Sequence, residues 1–79
     1  MSAGLNIKIL RTKLGLNQIN FAKKLKIHQV TVSDYETNKI IPSAKIIRLM
    51  MKLALKEGIE IRCEDLMSVS EENIKNKED

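Results

Sequence analysis

The chain has 79 residues, a net charge of +4 and only two aromatics, Phe21 and Tyr35, so it forms one small domain with no room for a second core. Leu, Ile and Lys dominate and Pro42 stands alone, which favours an all-α fold over a sheet. One His, one Cys, no metal-ligand cluster and no Gly-rich phosphate loop argue against an enzyme; no cofactor and no metal are expected.

The spacing Ile7, Leu10, Arg11, Leu14 puts one face of a helix inward and predicts helix one over about Leu5–Leu14, closed by Gly15 in a left-handed conformation. Asn17 is a good N-cap for helix two, Gln18–Leu25, whose inner side is Phe21, Ala22 and Leu25. Lys26 and Ile27 form a tight corner. Helix three follows over Gln29–Glu36, with Val32, Tyr35 and Glu36 inward and Asn38 suited to a left-handed end. "NKIIP" reads as a loop stopped by Pro42. Ser43 caps helix four, Ala44–Lys56, with Ile46, Ile47, Met50, Leu53 and Ala54 as its apolar stripe. After the loop "EGIEI", a short helix five over Cys63–Met67 is expected to carry Leu66 and Met67 onto the core, with Cys63 packed on the same apolar side. The domain therefore covers residues 1–67, and residues 68–79 read as an acidic polar tail, flexible or a frayed helix.

Charge is divided unevenly. Residues 1–56 hold eleven Lys or Arg against Asp34 and Glu36, a net of +9, whereas residues 57–79 hold three against eight acids, a net of −5. A basic body points to a polyanionic partner; the plainer alternative is a solvated lysine surface. No run approaches about 18 apolar residues, so no membrane span is expected. The start lacks a secretory pattern and a single Cys cannot form an internal disulfide, which together favour the cytoplasm.

A helix, a short corner and a second helix is the layout that sets one helix in the DNA major groove. Ala22 must be small where helix three crosses, and Gln18, Gln29, Val30, Ser33 and Asp34 are left outside. With Arg11, "LNQ" at Leu16–Gln18, "FA" at Phe21 and Ala22, Leu25, "QVTVSDYE" at Gln29–Glu36, Lys39, Pro42 and "EDL" at Glu64–Leu66, the span Ile7–Met67 resembles the Cro/C1-type (XRE-type) helix-turn-helix domain of phage repressors and bacterial regulators.

The resemblance implies a compact five-helix, lambda-repressor-like DNA-binding domain. It implies that Gln29 reads a base edge, adenine being the natural first choice for a carboxamide, and that Val30 packs on a thymine methyl. Ser33 and Asp34 lie one turn on, Asp34 as an acceptor from cytosine N4 or a group that rejects wrong sites. Gln18, Lys24, Thr31, Thr37, Asn38 and Lys39 would meet phosphate, with Gln18 also bracing Gln29. Arg11 and Glu36, charges on inward stripes, would form an internal ion pair. This sequence departs from the family at Lys26, where Gly is usual, at Asn38 for Gly, at Asn20 for an acid, at His28 in the N-cap of helix three, and in a longer "KEGIEI" loop.

The expected function is sequence-specific binding of a double-stranded DNA operator by a transcriptional regulator, a repressor, acting as a homodimer on two half-sites in the bacterial or phage nucleoid. No small-molecule ligand is expected. The alternative is a protein-interaction module such as an antitoxin, whose main partner is another protein.

Overall fold

A computed structural model describes residues 2–67, which form five α-helices and no strand. They are α1 (Ala3–Lys13), α2 (Gln18–Leu25), α3 (Gln29–Glu36), α4 (Ala44–Lys56) and α5 (Cys63–Met67). The last four have the bounds that periodicity and caps predict. Helix α1 begins two residues earlier than its apolar spacing indicates, because the Ser2 hydroxyl accepts from Leu5 N at 3.1 Å and caps it. The tail expected over residues 68–79 lies outside the described residues.

Local chemistry fixes each start. Asn17 Oδ1 accepts from Asn20 N at 2.7 Å, and the Ser43 hydroxyl accepts from Ile46 N at 3.3 Å. At α5, Asp65 Oδ2 accepts from Arg62 N at 3.2 Å, the backward half of a capping box. Helix α3 differs: its N-cap His28 makes no side-chain cap bond.

The core is a single cluster. Phe21, Ile7, Leu10, Leu25, Met50, Leu66 and Val32 are the largest fully buried side chains, drawn from all five helices. Burial of each such side chain is worth about 1.5–3 kcal/mol, so the fold depends on every helix contributing. Helix α3 packs on α1 and α2, while α5 bridges α1 and α4. Asn6 Nδ2 donates to the Asp65 carbonyl at 2.9 Å and pins α5 to α1. Tyr35 lies in the core at the inner face of α3, and burial pushes its hydroxyl above the usual pKa of 10.0.

Two expectations for α5 are corrected. Cys63 is exposed and not packed, its sulfur lying 3.5 Å from that of Met67; Met67 is itself 43% exposed. A five-residue helix has one inward position per turn, and Leu66 takes it. Ile46 and Leu53 of α4 are half-buried, flanking the fully inward row of Ile47, Met50 and Ala54. None of the described helices is long and apolar enough to cross a membrane.

One residue of the fold escaped the sequence analysis. Gly4 is buried where α1 crosses the end of α3, and a Cβ there would lie 2.5 Å from the Glu36 carbonyl oxygen and 2.7 Å from that of Tyr35. Gly4 N donates to Asn38 Oδ1 at 3.0 Å. A glycine inside a helix otherwise made of good formers was its signal.

Candidate nucleic-acid interface

The corner between α2 and α3 is closed by Lys26 in the left-handed conformation, φ 61° and ψ 44°, with Ile27 N donating to the Ala22 carbonyl at 3.0 Å. That bond is a helix C-terminal closure normally built on glycine. It turns the chain so that α3 lies across Ala22, leaving the opposite face of α3 uncovered.

Beneath that face runs a continuous line of side chains. Arg11 grips Glu36 with two bonds, Nε to Oε2 at 2.6 Å and Nη2 to Oε1 at 3.3 Å, while its Nη1 donates to the Leu16 carbonyl at 2.9 Å. The pair is largely removed from solvent, with side-chain exposures of 12% for Arg11 and 5% for Glu36. Gln18 Nε2 donates to Glu36 Oε1 at 3.1 Å, and Gln29 Nε2 donates to Gln18 Oε1 at 3.2 Å. Arg11, Glu36, Gln18 and Gln29 thus form one chain from the interior of the fold to its surface.

The direction of this chain follows from chemistry. The arginine-paired carboxylate of Glu36 offers only acceptors, so Gln18 must turn its NH2 toward it and its oxygen toward Gln29. Gln29 must then give one N–H to Gln18. Its carbonyl oxygen and its second N–H remain free at the exposed start of α3. One acceptor beside one donor is the pattern that pairs with adenine N6 and N7.

Around Gln29 the predicted base-facing residues divide. Val30 is 69% exposed. Ser33 and Asp34 are half-buried one turn on. The Asp34 carbonyl accepts from Lys39 N at 2.8 Å and from Ile40 N at 3.4 Å, folding the next loop back onto α3.

Among the predicted phosphate-facing residues, Lys24 and Lys39 are exposed and Thr31 is half-buried. Thr37 is exposed, but its hydroxyl donates to the Ser33 carbonyl at 2.9 Å. Asn38, at φ 64°, uses Oδ1 to hold Gly4 N, which leaves its Nδ2 for any outside acceptor. Gln18 spends one N–H and its oxygen inside the chain of bonds and keeps one N–H.

The family resemblance implied the ion pair and the Gln18–Gln29 brace. It did not anticipate the Gln18–Glu36 bond that joins them, nor the Leu16 carbonyl as a third partner of Arg11. Neither link leaves a periodic trace in the sequence.

No acid lies in the first turn of α2 or α3, and Lys23 and Lys24 occupy the last turn of α2. The uncovered helix start therefore faces outward with basic neighbours and free backbone donors, which favours an anionic partner. The described residues contain no group of three or more His, Cys, Asp or Glu side chains placed to hold a metal ion.

An exposed second helix, braced from behind and set on a basic surface, defines a helix-turn-helix DNA-binding module. A comparison of the sequence with protein families bears this out: the helix-turn-helix profile matches residues 7–53, more than half of the chain. The protein belongs to the XRE/Cro/C1-type helix-turn-helix family, whose members are DNA-binding transcription regulators. No curated protein and no solved structure matches the chain significantly.

Proposed function

We propose that this protein is a repressor that binds a double-stranded operator as a homodimer, each copy placing α3 in the major groove of one half-site. The reading rests on one observation above all. The free amide edge of Gln29 is fixed in orientation from behind and lies on an open helix face.

In this reading Gln29 pairs with adenine N6 and N7, and Val30 packs on the methyl of a neighbouring thymine. Ser33 and Asp34 read or reject the following pairs, Asp34 accepting from cytosine N4. Lys24 and Lys39, with the spare N–H groups of Gln18 and Asn38 and the side chains of Thr31 and Thr37, hold the flanking phosphates. These contacts set register and supply salt-sensitive affinity but carry no sequence information.

Two copies related by a two-fold axis would read half-sites about 34 Å apart, one turn of B-DNA. Selection from a pool of random duplexes followed by footprinting tests the proposal. The expected result is an enriched inverted repeat with two protected half-sites about one turn apart. A pool that stays unenriched, or protection that spreads without sequence preference, would overturn it.

A further inference from the structure

A second surface feature lies outside α2 and α3. Between α4 and the segment Ile59–Arg62 runs an open trough of about 750 Å³. Its floor is apolar, formed by Met51, Leu55, Ile59 and Ile61, and Leu55 is 81% exposed, the most exposed large hydrophobic among the described residues. Its rim is basic: Lys45, Arg48 and Lys52 follow one side of α4 and Arg62 lies on the opposite wall, with Glu60 the acid among the lining residues. Among the described residues, Lys45, Arg48 and Lys52 pair with no carboxylate, while Arg62 reaches Asp65 at 3.7 Å.

The arrangement of charge decides what fits. A second copy docking through the same face would set each basic row against its own image across the two-fold axis, which like-charge repulsion opposes. Duplex DNA would satisfy the rim but leave the apolar floor without a partner. An apolar molecule with one anionic head would use one cation and strand the others. The cations instead recur at i, i+3 and i+7 along a trough that follows α4 from Lys45 to Leu55, about 15 Å at 1.5 Å per residue. That length accommodates about three turns of a partner helix, and evenly spread cations call for evenly spread acids.

We propose that this trough docks an acidic amphipathic helix of another protein, its apolar stripe on Met51, Leu55, Ile59 and Ile61 and its flanking carboxylates on the basic rim. Helix-in-groove recognition of this kind draws affinity from the buried stripe and selectivity from the rim. None of the lining residues belongs to α2 or α3, so the partner and the operator would occupy separate faces.

The test uses the full chain and two synthetic helical peptides with the same leucine stripe, one flanked by glutamates and one by lysines. Binding is followed by backbone amide shifts. The glutamate-flanked peptide is expected to saturate with shifts confined to α4 and Ile59–Arg62, and Leu55→Asp should weaken it about tenfold or more. The double change Lys45→Glu with Lys52→Glu should reverse the preference between the peptides. Both variants alter exposed positions; the lysine reversal should lower affinity for every duplex alike through its lost positive charge, and both variants should keep the preference among duplexes that the unaltered chain shows.

Equal binding of the two peptides, absence of saturable binding, or shifts centred on α3 would overturn the proposal. So would a concentration-dependent dimer abolished by Leu55→Asp, which would assign the trough to a second copy. Loss of duplex binding on Leu55→Asp would assign it to DNA. Trough resonances that move on removal of residues 68–79, with no peptide present, would assign it to the chain's own tail. Duplex binding is read separately throughout, so failure here leaves the operator reading intact, and the reverse holds.

Discussion

The line of bonds from Arg11 to Gln29 has two ends in different surroundings. At the inner end a bidentate ion pair is nearly closed off from water, with Glu36 keeping 5% of its side-chain exposure. At the outer end two neutral amides meet at 3.2 Å, and Gln29 is open to solvent. The ends are joined through one atom, Glu36 Oε1, which accepts from both Arg11 and Gln18. A charge held in the interior can therefore orient a neutral reader at the surface without itself approaching the polyanion. Stability should concentrate at the inner end and discrimination at the outer.

The largest effect is expected from Glu36→Ala. It removes the acceptor of three bonds and leaves the Arg11 guanidinium buried without its counter-charge. Breaking a buried pair in this way costs about 3–5 kcal/mol, much of a small domain's margin. Urea unfolding measures it. A loss below about 1 kcal/mol would mean that the pair behaves like an exposed one and that the inner end is not where stability lies. Binding of the enriched duplex should fall as well, since Gln18 loses the partner that sets its orientation.

Gly4→Ala strikes the inner end without touching a charge. The new methyl would lie 2.5 Å from the Glu36 carbonyl oxygen, so α1 and the end of α3 must move apart. Overpacking of this sort costs about 1–3 kcal/mol. Backbone amide shifts should spread from Gly4 to Tyr35, Glu36 and Asn38, and a variant as stable as the parent would show that the crossing tolerates a wider gap.

Gln29→Ala reverses the balance. The residue is exposed and adds one neutral bond to the fold, so the unfolding midpoint should move by no more than about 0.5 kcal/mol. Competition between duplexes differing at one base pair should lose about 1–3 kcal/mol of discrimination at that pair alone. Uniform weakening across all duplexes would instead place Gln29 on phosphate.

These contrasts also mark what the sequence could reveal. The bounds of α2, α3 and α4 were legible because Asn17 and Ser43 are caps and the apolar positions repeat at helical spacing. The Arg11–Glu36 pair was legible because two charges fell on inward stripes, where an unpaired charge is costly, and the family resemblance implied that they pair with each other. The start of α1 was not, since Gly4 weakens the helical signal and the apolar repeat becomes clear only beyond it. Neither was the outward placement of Cys63: a helix of five residues is too short for periodicity to separate inward from outward positions. The Gln18–Glu36 bond joins residues 18 positions apart, and the trough combines α4 with a loop. Both depend on how elements come together, which local pattern does not encode.

The smallest predicted effect isolates the corner between the two ends. Lys26 holds φ 61° with a side chain that offers no local bond to support it. A non-glycine residue in that region costs about 1–2 kcal/mol, and glycine loses about 0.4–1 kcal/mol of this advantage through the greater entropy it gives the unfolded chain. Lys26→Gly should therefore stabilise the fold by about 0.5–1 kcal/mol. The exposed cation disappears too, so affinity for every duplex should drop together and the salt slope should shrink by about one counterion. Discrimination among duplexes should stay as it was, because the bonds holding Gln29 do not pass through position 26. If discrimination changed along with stability, the corner would be setting the angle of α3, and the bonded chain alone would no longer account for how Gln29 is aimed.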